Sequence, residues 1–144
     1  MKYSNEVVIN KPLAEVISLF DSEENLFKWQ PELLSFEHFS GEKGEVGAKS
    51  KLLYKMGKRE VEMVETITVK DLPKEFSGTY EAKGVWNEVK NFFEPIDEST
   101  TRWRSESHFE FTGFMKLFGW LMPGSFKKQS QKYLDQFKAF AEGE

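Results

Sequence analysis

An acidic residue lies in the middle of an apolar stretch that reads as a β-strand. In segment 59–70 the apolar residues fall at alternate positions, namely Val61, Met63, Ile67 and Val69. Glu65 has the same parity, and side chains of one parity share one face of a strand. We therefore expect Glu65 to face the interior, where a carboxylate needs a partner or a raised pKa. It is the candidate general base or ligand anchor. The alternative is an outward position caused by a bulge, or a pairing with Arg59.

Other polar side chains share the inward parity of strands that are rich in aromatic residues. They are the amides Asn87 and Asn91, the hydroxyls Ser105 and Ser107, and the phenols Tyr54 and Tyr80. Buried amides need hydrogen bonds, which a ligand, a water molecule or a second amide can supply. A tyrosine presents an apolar ring with a polar tip. Neither serine lies in a nucleophile-elbow sequence, so we interpret both as small residues that leave room.

The sequence excludes several kinds of site. It has no cysteine and only two histidines, which rules out thiol chemistry, disulfides and a histidine-rich metal centre. We expect His108 to face outward and His38 to be a surface or pairing residue rather than a base. The glycine-rich segment 41–47 is spaced like a phosphate-binding loop. However, a strand follows it instead of a helix, and its two glutamates would repel phosphate.

The composition predicts a folded protein without a nucleic-acid partner. The 144 residues fit one domain, placed at 1–144, and 39% of them are hydrophobic. A net charge of −4 and scattered lysines argue against binding to a phosphate backbone. No apolar run approaches the ~18 residues of a membrane span, and the N-terminus has no signal-peptide pattern. We expect a cytoplasmic protein with no metal and no cofactor.

The elements that must position these residues follow a simple order. A strand at 2–10 precedes a helix introduced by Pro12, and a second short helix at 23–29 ends before Pro31. From residue 33 to residue 112, six strands alternate with short turns, which favours antiparallel hairpins and the α+β class. The chain closes with a long helix whose inner stripe would be Phe126, Ser130, Tyr133, Leu134, Phe137 and Ala141.

The beginning of the last helix is the strongest indication of a ligand. Segment 113–123 reads GFMKLFGWLMP, which is more bulky apolar surface than one helix face needs to pack on a sheet. Such a helix would cover a cavity, and an interruption at Pro123 and Gly124 could admit apolar ligands. The alternative is that Trp120, Met122 and their neighbours fill the space themselves. The 14 phenylalanines fit either a large core or a lined pocket.

This order of elements resembles the helix-grip fold of the SRPBCC superfamily, which includes START proteins, birch-pollen allergens and polyketide cyclases. The segments that carry the resemblance are INKPLAEVISLFDSEENLFKWQP, VGAKSKL, ETITVKDLPKEFSGTYEAKG and FTGFMKLFGWLMPGSFKKQSQKYLDQFKAFAE. The resemblance implies a curved seven-stranded antiparallel sheet (β-α-α-β6-α) around a long C-terminal helix, with an internal cavity. It also implies binding of sterols, lipids, polyketides, plant hormones or other apolar ligands. A minority of members are cyclases or dehydratases.

We therefore expect a carrier or sensor of an apolar small molecule, such as a lipid, an isoprenoid or a polyketide-like or aromatic compound, in a monomer or weak dimer. The residues expected to line its site are Tyr54, Met63, Glu65, Phe76, Tyr80, Asn87, Val89, Asn91, Trp103, Ser105, Ser107, Phe109, Phe118, Met122, Phe126 and Ser130. Two alternatives stay open. One is a cyclase or dehydratase that uses Glu65 and a tyrosine as acid and base. The other is an interaction module that docks through outward-facing Trp86 and Phe92.

Overall fold

The computed structural model describes residues 1–121 and 123–143, with the side chains of residues 118–123 left out of the description. Seven strands and four helices occur in the described residues. The strands are β1 (Lys2–Ile9), β2 (Leu33–Ser40), β3 (Lys49–Met56), β4 (Arg59–Asp71), β5 (Glu75–Ala82), β6 (Val85–Asp97) and β7 (Thr100–Phe111). The helices are α1 (Leu13–Phe20), α2 (Glu23–Trp29), α3 (Phe114–Leu121) and α4 (Pro123–Gly143).

All seven strands form one antiparallel sheet in the order β1-β7-β6-β5-β4-β3-β2. Strands β2 to β7 are a continuous meander, and β1 joins the sheet beside β7. This confirms the predicted α+β arrangement of seven strands, two short helices and a C-terminal helical segment. That segment consists of two helices, and the second begins at Pro123, a position where the missing proline N–H is not needed.

Local sequence signals set the helix starts and the turns. The Ser22 hydroxyl accepts a hydrogen bond from the Asn25 amide at 3.2 Å and caps the N-terminus of α2. Gly84 connects β5 to β6 with a φ of 77°, a conformation that favours glycine. A Cβ at that position would lie 2.8 Å from Cγ of Met115, so the missing side chain also lets α3 lie against this turn.

One end of the interior is a tightly packed aromatic core. Trp29, Phe93, Trp103 and Phe137 are each at most 5% exposed, and the Phe20 ring contacts all four. The indole N–H of Trp103 donates to Oδ1 of Asn91 at 3.0 Å, which satisfies two buried polar groups. This core joins α1, α2 and the C-terminal half of α4 to strands β1, β6 and β7.

A β-bulge near the end of β4 changes which side chains lie on the inner face of the sheet. The pairing with β5 shifts between Ile67 and Val69, so Val69 pairs with Ser77, and Lys70 pairs with inward-facing Phe76. The sequence interpretation placed Val69 on the inner face because it assumed regular alternation. That assignment is wrong beyond the bulge. Glu65 precedes the bulge, and its facing is unaffected.

Polar side chains attach α4 to the edge strand β1. The Tyr3 hydroxyl lies 2.7 Å from Oγ of Ser130 and donates to the Phe126 carbonyl at 3.1 Å. Two α4 side chains also reach the free edge of β1. Gln131 donates to the Glu6 carbonyl at 3.2 Å, and Lys138 donates to the Val8 carbonyl at 2.6 Å.

Candidate functional site

Five polar residues form a line across the inner face of the sheet, one on each of the strands β2 to β6. Neighbours in the line are direct cross-strand partners, and its members are His38, Ser50, Glu65, Tyr80 and Asn87. Phe109 of β7 continues the line as the partner of Asn87. Because partners in a ladder share one face, all five point toward the helices. We call these five residues the polar row.

The centre of the polar row is a hydrogen-bonded pair. The Tyr80 hydroxyl donates to Oε2 of Glu65 at 2.8 Å. The other carboxyl oxygen of Glu65, Oε1, has no hydrogen-bond partner among the described residues and is not fully enclosed by them. Burial raises the pKa of Glu65 above its ordinary value, and the hydrogen bond from Tyr80 opposes that rise. Burial also raises the pKa of Tyr80 well above its ordinary value.

Apolar side chains line both sides of the polar row. On one side lie Phe36, Leu52 and Met63, and on the other lie Ala48, Ile67 and Val89, together with Gly78 and Ser107. Met63, Glu65, Tyr80 and Val89 are only partly buried although they occupy the inner face of central strands. The surface that they retain therefore faces the region between the sheet and the helices. We call this region the interior site.

The structure corrects the interpretation of His38. It faces inward beside Ser50, and its Nε2 atom is buried with no hydrogen-bond partner among the described residues. The sequence suggested a surface or pairing residue because Leu33 and Leu34 obscure the alternation of β2. That strand has register shifts at Leu33/Ser35 and His38/Ser40. Ser50 was also missed, although it shares the parity of Leu52 and Tyr54.

Several predicted site residues instead belong to packed regions. Trp103 and Asn91 bond to each other in the aromatic core, and Ser105 lies beside Asn91. The buried Tyr54 hydroxyl donates to Oε1 of Gln30 at 2.5 Å, and burial raises its pKa. Their contacts favour structural roles, and their assignment to a ligand site stays a prediction.

The remaining predicted residues lie near the helices. The Phe126 ring lies 5.0 Å from that of Phe109, and Ser130 is hydrogen-bonded to Tyr3. Ser107 is 6% exposed, beside Val89. The ring of Phe76 packs edge-on against Phe20 at 5.9 Å. The side chains of Phe118 and Met122 are outside the described residues.

The outer face of the sheet carries the two aromatics proposed for docking. Trp86 and Phe92 do face outward, but each is partly buried under a neighbour on β7. His108 packs edge-on against Trp86 at 5.4 Å, and the Arg104 guanidinium lies 4.8 Å above the Phe92 ring. Glu88 and Lys90 separate the two rings along β6, so they do not form the single exposed patch that the docking hypothesis assumed.

The described residues outside the interior site present no obvious alternative centre. No group of three or more potential metal ligands occurs among residues 1–121 and 123–143. No helix in those ranges is both long enough and apolar enough to span a membrane. Two open grooves run along the outer surface of α4, and polar side chains such as Lys128, Gln131 and Asp135 line them.

Solved structures similar to this one were found, although neither a family model nor a curated protein matches the sequence. Ara h 8.0201 has a TM-score of 0.81 at 16% identity, with 100% of this chain and 99% of that chain covered. The ZhuI aromatase/cyclase from Streptomyces sp. R1128 has a TM-score of 0.81 at 11% identity, with 99% and 93% covered. Norcoclaurine synthase from Thalictrum flavum has a TM-score of 0.76 at 12% identity, with 99% and 87% covered.

The chain has the helix-grip fold. The architecture that the resemblance implied is thus confirmed. In this helix-grip chain the polar row crosses the inner face of the sheet and lies outside the aromatic core of Trp29, Phe93, Trp103 and Phe137. An aromatase/cyclase and a norcoclaurine synthase share this fold, so the fold does not by itself decide the function.

Proposed function

We propose that this protein binds an apolar small molecule in the interior site, as a carrier or sensor. One observation carries the proposal: Glu65 lies among apolar residues of the inner face, and only one of its carboxyl oxygens has a hydrogen-bond partner among the described residues. Burying a carboxyl group among apolar side chains costs free energy. Groups buried in this way are frequent at functional sites. Aromatase/cyclase and synthase neighbours with the same fold support an interior that accepts organic ligands.

In the interior site, different residues would provide the affinity for the ligand and set its orientation. Apolar side chains such as Met63 and Val89 would supply affinity, because burying apolar ligand surface stabilises a complex by about 25 cal/mol per Å². Glu65 and Asn87 would set the orientation of the ligand through hydrogen bonds. A ligand without any polar group would still bind, but it would leave the Glu65 oxygen without a partner.

The test is uptake of a neutral environment-sensitive dye, Nile red. Ser107→Phe places a ring beside Val89 in the interior site and should abolish the fluorescence rise on binding. Glu106→Phe places the same ring on the outer face one residue earlier and should leave binding unchanged. Circular dichroism confirms that both variants fold. Equal dye binding by wild type and Ser107→Phe would refute the interior site.

A second function is supported by the Tyr80–Glu65 hydrogen bond and the inward position of His38. Burial raises the pKa values of Glu65 and Tyr80, and groups with perturbed pKa values that share a site can act as acid and base, as a cyclase or dehydratase requires. The corresponding test is deuterium uptake at the α-carbon of a neutral aryl ketone in D₂O, followed by NMR. Exchange that is faster with wild type than with Glu65→Gln would support catalysis. Equal exchange with the two proteins would eliminate Glu65 as the base.

A further inference from the structure

The interior site contains the carboxyl group of Glu65 without a matching positive side chain. No lysine or arginine among the described residues forms an ion pair with Glu65. Lys70 also faces inward, but it lies beyond the bulge at the edge of the site. Its ammonium group donates to the Gly44 carbonyl at 2.7 Å and lies 3.9 Å from Glu45.

Two of the polar side chains near Glu65 already use their hydrogen-bond donors. The Tyr80 hydroxyl donates to Glu65 itself. The Asn87 side-chain nitrogen donates to the carbonyls of His108 at 3.3 Å and Glu88 at 3.4 Å. This leaves Oε1 of Glu65 and Oδ1 of Asn87 as acceptors on the two sides of Tyr80. A ligand group placed there meets oxygen atoms that need donors.

The other titratable groups that face this position add little positive charge. Tyr54 of β3, Tyr80 of β5 and Tyr133 of α4 are phenols whose pKa values burial raises, so they stay neutral. His38 is the one inward histidine, two strands from Glu65 in the polar row.

We infer that the preferred ligand carries a protonated amine on an apolar body, and that the interior site discriminates against carboxylates. The amine would donate to Oε1 of Glu65 and Oδ1 of Asn87 and would neutralise the buried carboxylate. A carboxylate ligand would bring a second negative charge beside Glu65, where no lysine or arginine among the described residues forms an ion pair. This inference rests on the proposed function and specifies the class of its ligand.

The experiment uses three ligands with the same body, which are 4-phenylbutylamine, 4-phenylbutanol and 4-phenylbutyrate. Each is titrated at pH 7 against wild-type protein loaded with Nile red, and displacement reports affinity. We expect the amine to bind most tightly, the alcohol less tightly and the carboxylate least tightly. The affinities of the amine and the carboxylate should differ by at least about tenfold. Glu65→Gln should reduce amine affinity about tenfold and leave the alcohol within about twofold.

A matched control separates the local charge from the net charge. Glu62→Gln removes a carboxylate from the outer face of the same strand, where Glu62 lies 3.7 Å from the Lys51 ammonium. It should leave all three affinities unchanged. Wild type alone gives a second readout that needs no variant: lowering the pH protonates Glu65, so the advantage of the amine over the alcohol should shrink.

The outcomes distinguish this inference from the proposed function. If Nile red binds and the amine binds no more tightly than the alcohol or the carboxylate, the ligand class is wrong while the binding function stands. If Nile red does not bind to wild type, the binding function fails and the inference fails with it. A tenfold loss for the amine in Glu62→Gln as well would show that the effect comes from net charge, and would overturn the inference.

Discussion

The hydroxyl of Tyr80 and the carboxyl group of Glu65 lie 2.8 Å apart and are direct partners across β4 and β5. Hydrogen bonding to one carboxyl oxygen holds the side chain in place, and the other oxygen has no hydrogen-bond partner in the part of the chain that the structure describes. The pair sits on the inner face of the sheet, with apolar rows on both sides. Tyr80 is therefore a positioning residue for Glu65 in either proposed function.

Removing the Tyr80 hydroxyl should destabilise the protein. We expect Tyr80→Phe to lower the free energy of unfolding by about 1–3 kcal/mol, because a buried carboxyl group loses its hydrogen-bond donor. Urea denaturation followed by tryptophan fluorescence measures the change. Thr79→Val deletes a hydroxyl from the opposite face of β5 and should change stability by less than about 0.5 kcal/mol. Equal effects of the two variants would contradict the assigned hydrogen bond.

The buried position of Glu65 should make stability depend on pH. Because burial raises its pKa above the ordinary 4.5, the folded protein keeps this proton where the unfolded chain has lost it. The contribution to stability is fully present below the ordinary pKa and is lost as pH rises through the raised one. Glu65→Gln removes this dependence. Wild type should therefore lose stability relative to the variant as pH rises above 4.5, as urea denaturation would show. A constant difference would exclude a raised pKa.

The aromatic core should carry much of the stability. Phe137 is 0% exposed and contacts Phe20, Trp29 and Trp103, so Phe137→Ala should lower the free energy of unfolding by about 3–5 kcal/mol. Phe114 is 84% exposed, and Phe114→Ala should change the free energy of unfolding by less than about 0.5 kcal/mol. Thermal and urea unfolding compare the two variants. A large effect at Phe114 would mean that α3 packs more tightly than described.

The hydrogen bonds of Tyr3 should hold the first half of α4 against the sheet. Tyr3→Phe removes the bonds to Ser130 and Phe126, at an expected loss of about 1–2 kcal/mol. Amide hydrogen exchange should then become faster around residues 126–131 than in the C-terminal half of α4. Ser4→Ala, on the exposed side of β1, is the control and should leave exchange as in wild type. Uniformly faster exchange in Tyr3→Phe would indicate global destabilisation instead.

The sequence predicted the features of the fold that depend on neighbouring residues, namely the alternation within strands and the positions of the turns. Alternation in β4 placed Glu65 inward, and the glycine-rich turns indicated the hairpins that form the meander. Alternation failed at Val69 because a bulge depends on the pairing with β5, and nothing in β4 itself encodes that shift. It failed at His38 because β2 contains bulges of the same kind.

The candidate site was only partly predictable for a different reason. Parity placed Trp103 and Asn91 on the same face as Glu65, and the structure agrees. However, parity cannot tell which end of that face the helices cover. The packing of Phe20, Trp29 and Phe137 fills the end near Trp103, and those contacts join residues that are far apart in sequence. The members of the polar row could not be predicted either, because they are brought together by the register between five strands.

The attachment of α4 to β1 affects where the protein can begin to aggregate. An edge strand with free carbonyl groups can recruit a strand from another molecule and begin ordered aggregation. Gln131 and Lys138 occupy two such carbonyls on β1, so that edge is partly blocked by the chain itself. The opposite edge strand, β2, carries Phe39 at 55% exposure and Leu34 at 45%. In concentrated solution, intermolecular strand addition should therefore begin at β2, and a lysine in place of Phe39 should delay it.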